Sequence, residues 1–160
     1  MLTVSVHGDP HHAYPFYSGY ADEHGEGAGA GCNLNFPLPV GSDGRAYRRR
    51  GLDPALARIR AFEPCALVVA CGLDTARADP TGSFVLDADD FHENGRRIGA
   101  LRLPTLIVQE GGYRTATIGA MARAFLRGFG VGAGMIPEDH EPSRRAEPSR
   151  ATGRKRAAGG

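Results

Sequence analysis

At 160 residues the chain has room for one domain with a substantial core, but not for two comfortable ones. A hydrophobic content of 41% with 23% charged residues is that of a globular protein, and 23 glycines and 11 prolines predict many turns and large connecting segments. The net charge of +1 is unevenly spread: Arg and Lys are in excess over residues 137–160 and the remainder is close to neutral, which argues against a basic nucleic-acid surface on the folded part. No apolar run approaches the roughly 18 residues of a membrane span, so no membrane partner is expected. Cys32, Cys65 and Cys71 are odd in number and lack C-x-x-C spacing, so neither a disulfide framework nor a zinc knuckle is indicated. The start, MLTVSVHGDP, has no basic segment followed by an apolar stretch, and a cytoplasmic location is expected.

Along the chain, Leu2 to His7 alternates small polar with apolar residues and reads as a strand running into the loop at Gly8-Asp9-Pro10. Residues 9–31 show no sustained period, and a loop of that length in a compact domain is functional or disordered. Asn33 to Leu38 alternates again between Gly31 and Pro39, giving a short strand. Arg45 to Phe62 predicts a helix, with Pro54 near a helix start and Leu52, Leu56, Ile59 and Phe62 on one face.

The stretch ALVVACGLDT, residues 66–75, reads as a strand buried on both faces that ends in a carboxylate, Asp74. In parallel α/β sheets ligands bind beyond the carboxyl ends of the strands, so Asp74 is either a ligand-site residue or the cap of a turn. Asp87 to Leu101 predicts a helix whose leading acids suit its amino-terminal dipole and whose Phe91, Ile98 and Leu101 point inward. Thr105 to Glu110 is a second buried strand that stops at Gly111-Gly112-Tyr113, and Ile118 to Phe129 is an apolar helix with Met121, Phe125 and Phe129 on one stripe. The alternation of helix and strand implies parallel pairing. Residues 1–134 are expected to form the domain, and 135–160, rich in Pro, Arg, Ala and Gly, a disordered tail. With mixed charge and no aromatics, that tail favours a nucleic-acid partner less than simple solvation.

Several constellations could carry chemistry. The glycines of GEGAGAG, residues 25–31, fall at every second position, which does not fit G-x-G-x-x-G, and there is no Walker motif. His7, Asp9, His11 and His12 could supply metal ligands but match no helix-borne zinc spacing, and Asp22-Glu23-His24 is a weaker grouping. Asp74 and Tyr113 each follow an inferred strand, and if those strands are neighbours both side chains open onto one crevice, which Gly111 and Gly112 let a ligand approach closely. A carboxylate for a metal and a phenol able to donate to a developing oxyanion are parts of a metal-assisted hydrolase.

These segments together resemble the histone deacetylase superfamily, in particular its bacterial acetylpolyamine amidohydrolase-like branch. The matching stretches are SVHGDP at 5–10, GYADEHGEGAGAGCNLNFPLP at 19–39, GLDT at 72–75, DP at 79–80 with SF at 83–84, and EGGY at 110–113. The resemblance implies an arginase/deacetylase-like three-layer α/β fold with a parallel sheet and zinc-dependent hydrolysis of an acetyl-amide on a small amine or a lysine. It also implies roles for residues: Asp74 as a zinc ligand and Tyr113 as the group that polarises the substrate carbonyl. Tyr14, Thr81 and Gly112 fall at substrate-tunnel positions, and Ser5 and the Val6 carbonyl at part of a potassium site.

The family's Asp-x-His zinc ligands and its paired histidines have no match here, and His11-His12 is not that pair. On this reading the chain resembles the carboxyl-terminal half of the fold only, with the amino-terminal half missing. One aspartate without a base leaves an incomplete site, so the chain alone is expected to be inactive. The alternatives are a non-enzymatic remnant, a chain that pairs with a separately encoded amino-terminal half, and a different metal site built from His7, Asp9 and His11.

Overall fold

The computed structural model describes residues 1–138. Of the expected tail, residues 139–160 lie outside the described residues. The alternating TVSVHG segment forms β1 (Thr3–Gly8), which pairs in parallel with β2 (Asn33–Leu38) in the register Thr3↔Asn33 to Gly8↔Leu38. The long connection between them is fixed by polar side chains of the strands. Asn33 donates to the Glu23 carbonyl (2.7 Å), Asn35 to the Tyr20 carbonyl (3.0 Å) and the Glu23 carboxylate (3.2 Å), and His7 Nε2 bonds the Gly19 carbonyl (2.8 Å). Buried or half-buried loop carbonyls need such partners, and the alternation of β2 places its two asparagines on one face, where they provide them.

The predicted helix at 45–62 is present but interrupted. Asp43 caps α1 (Gly44–Tyr47) by accepting from the Ala46 N–H (2.8 Å), a π-helical turn follows at Arg48–Leu52, and α2 runs over Asp53–Phe62 with Pro54 in its first turn. Leu52, Ala55 and Leu56 are buried, whereas Phe62, expected inward, is exposed.

β3 (Leu67–Gly72) and β4 (Thr105–Glu110) are neighbours and parallel, with Leu67 opposite Thr105 and Gly72 opposite Glu110. Between them α3 (Ala88–Gly99) starts with a capping box: Asp87 accepts from the Asp90 N–H (3.1 Å) and Asp90 from the Asp87 N–H (3.2 Å). α4 (Thr115–Gly132) packs along α3 backbone to backbone. A β-carbon on Gly95 would run into the Phe125 carbonyl and one on Gly99 into the Phe129 carbonyl; one on Gly128 would meet the His92 carbonyl and one on Gly132 the Arg96 carbonyl. Each helix thus carries a G-x-x-x-G facing the other. Phe91 and Phe125 reach from this helix pair into a core that also contains Leu38, Leu73, Phe84 and Leu86, and Val69, Cys71 and Ile107 of the sheet pack against it.

The two strand pairs are joined among the described residues only by isolated parallel bridges, Ser42 to Phe84 and Ala76 to Leu86. Two expectations change here. β3 and β4 are covered on one face only: Val68 is 67% exposed, Leu106 60% and Val108 40%. The expected fold class, a partial fold with its amino-terminal half missing, is also corrected, because parallel α/β pairing is in place from Thr3 onward.

Candidate active site

Asp74 sits in a single helical turn, Leu73–Thr75, directly past the carboxyl end of β3, with Leu73 buried beneath it. The Thr75 hydroxyl ties the turn back to the Gly72 carbonyl (3.0 Å). Across the strand pair, Gly111 and Gly112 leave β4 with φ of +45° and +92°, a region that L side chains rarely adopt. A β-carbon on Gly111 would strike the Asp74 carboxylate, and one on Gly112 would crowd Leu73 and Ile118. The two strand ends therefore converge, Asp74 half-buried against the Gly111 backbone and Tyr113 beyond it with its side chain largely exposed.

The electrostatics of this corner are one-sided. Partial burial pushes the Asp74 carboxyl above the usual carboxylate range, the nearby charges of Asp79 and Glu110 push it further, and the N–H groups of Asp74 and Thr75 only partly offset this. Such a carboxylate suits a bound cation. A closed or catalytic zinc site needs at least three protein ligands, however, and no group of three His, Cys, Asp or Glu side chains among the described residues could hold a metal ion. The described residues therefore fit one ligand of a zinc site and do not by themselves fit the ion.

Asp79, to which sequence reasoning gave no role, is the most connected carboxylate of this region. It is 9% exposed. One oxygen accepts from the Tyr113 N–H (2.7 Å) and the Arg114 N–H (3.1 Å), the other from the Thr81 N–H (3.0 Å) and Thr81 Oγ1 (3.1 Å). Burial acts to raise its pKa, but these bonds, that of the Tyr113 N–H foremost, more than offset it and hold the carboxyl below its ordinary value. The signal in the sequence was an Asp-Pro followed by Thr81, which announces a turn but not its partner 34 residues on.

The remaining predicted residues are spread more widely. Thr81 is engaged with Asp79 as described. Ser5 Oγ lies 2.7 Å from His7 Nδ1, and His7 Nε2 is within 2.8 Å of the Gly19 carbonyl. Val6 packs against the core beside Gly51. Tyr14 is 81% exposed on the loop after β1. Its neighbour Ala13 and Ser83 both close over Gly8, which brings this loop alongside the one carrying Asp79 and Thr81.

His7, Asp9 and His11 do not form a metal cluster. His7 is committed to Ser5 and Gly19, and His11 pairs with Asp9 at 2.7 Å. Tyr47, behind the site, stacks edge-on against Phe84 at 5.5 Å, and burial pushes its phenol up to about 12, with the charges of Cys71 and Asp74 adding to the effect.

Comparison with known proteins identifies the family. The model for the histone deacetylase domain matches residues 1–129. The chain is 48% identical over 131 residues to the acetylpolyamine amidohydrolase of Burkholderia pseudomallei and 48% over 129 residues to acetylpolyamine amidohydrolase 1 of Pseudomonas aeruginosa. These alignments take in 82% and 81% of this chain and 38% and 37% of the relatives, so the chain spans well under half the length of the curated relatives it matches. The crystal structure of the acetylpolyamine aminohydrolase from Burkholderia pseudomallei superimposes with a TM-score of 0.79 over 82% of this chain and 38% of that one, at 48% identity. That of a histone deacetylase homologue from Aquifex aeolicus superimposes with 0.71 over 84% and 36%, at 28% identity.

These findings replace the reading of the chain as a carboxyl-terminal half only. The matched region is the amino-terminal majority of this chain, beginning with its first strand and followed by the segment from residue 130 onward. The chain belongs to the histone deacetylase domain family.

Proposed function

We propose that the chain forms part of a zinc-dependent amide hydrolase that removes an acetyl group from a small amine, with acetyl-lysine as the second substrate class. In this reading Asp74 is one zinc ligand, and the Tyr113 phenol donates a hydrogen bond to the acetyl carbonyl oxygen as negative charge develops on it. Zinc, where bound, supplies Lewis acidity toward the carbonyl and an activated water. The observation that carries the reading is the meeting of two parallel strand ends, where Gly111, two residues before Tyr113, is pressed on the Asp74 carboxylate among other negative charges. The match to relatives named for acetylpolyamine hydrolysis supports the substrate class.

The site is incomplete within the described residues, so in this reading the other ligands and the base that would activate water come from outside them. Ser5 and the Val6 carbonyl would contribute to a potassium site, and Tyr14, Thr81 and Gly112 to the wall that accepts the acyl chain. The bare apolar face of β3–β4 supports a second segment, separately encoded or not, as the source of the missing groups.

A chimera tests this reading. Residues 1–129 replace the matched portion of the Burkholderia amidohydrolase, and acetate release from an acetylated diamine is measured. Retained activity that falls by about a hundredfold or more in Tyr113→Phe, and that disappears with the zinc in Asp74→Asn, is expected. A folded, zinc-loaded chimera that releases no acetate would overturn the proposal.

A further inference from the structure

Gly111 and Gly112 in succession give the main chain between β4 and Tyr113 more freedom than any other residue pair could, at the point where the proposed mechanism needs the phenol held in one place. At its β4 end the Gln109 side chain donates to the Gly111 carbonyl (3.1 Å), but Arg114, the N-cap residue of the 18-residue α4, makes no side-chain cap at the other. The restraint comes from Asp79. Its one oxygen takes the N–H groups of Tyr113 and Arg114 together, and as a carboxylate at the start of α4 it also meets the positive end of the helix dipole. Its other oxygen is held by both donors of Thr81, so the carboxylate cannot swing. The turn that carries it is packed under the candidate metal ligand: a β-carbon on Gly82 would collide with the Asp74 carbonyl and touch the Asp79 β-carbon.

We propose that Asp79 is a positioning residue, one that registers the Tyr113 main chain against the Asp74 turn and so sets where the phenol stands, without touching substrate. The inference rests on the role assigned to Tyr113 above. Both loops were part of the resemblance read from the sequence, but the connection between them is visible only in the hydrogen bonds.

The test uses the full chain and needs neither metal nor substrate, so its failure is distinct from a failure of the hydrolase reading. In isotopically labelled protein, the through-hydrogen-bond coupling between the Tyr113 amide nitrogen and the Asp79 carboxyl carbon is measured directly, and it is expected to be present. In Asp79→Asn, one N–H acceptor becomes a donor at nearly constant shape. The Tyr113 and Arg114 amides are expected to exchange with solvent about tenfold faster relative to those of Phe91–Ile98 in α3, and a fluorotyrosine label at position 113 to shift or broaden.

Asp87→Ala, which removes the α3 cap, serves as the structural comparison: it lowers the melting temperature without selective acceleration at 113 and 114. Absence of the coupling would overturn the proposal, as would acceleration in Asp79→Asn that is uniform along the chain. If Asp79→Asn does not fold, the coupling in the unaltered protein decides alone.

Discussion

On one face of the β3–β4 pair, Val69, Cys71 and Ile107 meet Phe91 and Phe125 from two helices packed so closely that four glycines are needed at their contact. On the other face, at the alternate positions of the same strands, Val68, Leu106 and Val108 stand in solvent. Both faces are written in apolar residues, as in a strand covered on two sides, and within the described residues only one cover is present. The difference shows that an apolar strand pattern does not by itself fix burial: the same alternation is covered on one face and bare on the other among the described residues. Asp74 and Tyr113 lie just beyond the ends of these strands, and among the described residues no group of three His, Cys, Asp or Glu side chains could hold a metal ion.

Substitutions on the two faces should sharpen that contrast. In an exposed helix interior Gly→Ala stabilises by about 1 kcal/mol through propensity. At Gly128 the added methyl meets the backbone of α3, so Gly128→Ala is expected to destabilise by about 1–3 kcal/mol instead, read from the shift of the denaturant midpoint. The inverted sign is the diagnostic feature. Leu106→Ser, on the bare face, is expected to change stability by no more than about 0.5 kcal/mol and to reduce self-association and hydrophobic dye binding. A loss comparable to that of a core residue would mean that the face is covered after all.

A smaller effect concerns the ion network on the covered side. Glu93 accepts from Arg96 (2.7 and 2.9 Å) and from Arg97 (2.7 Å), which itself bonds Asp53. The Arg96 bond foremost, with that of Arg97 and against partial burial, lowers the Glu93 carboxyl from an ordinary 4.5 to about 2. A depressed carboxylate pKa means that the stabilisation is present above 4.5 and is lost as pH falls toward about 2. Glu93→Gln is therefore expected to flatten the pH dependence of stability across that window, measured by thermal melts in graded buffers, and an unchanged slope would show that the network contributes nothing there.

Much of this was legible in the sequence. The alternation of Asn33–Leu38 and the apolar run of Thr105–Glu110 mark strands with the observed bounds, and the acids before Phe91 mark the start of α3. The condition placed on Asp74 and Tyr113, that their strands be neighbours, is met. The glycine count misled: 23 glycines suggest turns, yet Gly95, Gly99, Gly128 and Gly132 lie within helices, where their lack of a side chain serves packing. Composition cannot separate those uses. The π-helical turn at Arg48–Leu52 has no local signature, and Asp79 could not be found because its partners are remote in sequence and are main-chain groups that every residue possesses.

The reading proposed above makes Asp74 one ligand of a metal site whose remaining ligands lie outside the described residues. Zinc binding to the purified full chain, measured by equilibrium dialysis for the unaltered protein, Asp74→Asn and His11→Ala, tests it most directly. Zinc binding that Asp74→Asn abolishes and that His11→Ala leaves unchanged is expected. Zinc binding indifferent to Asp74→Asn would contradict it.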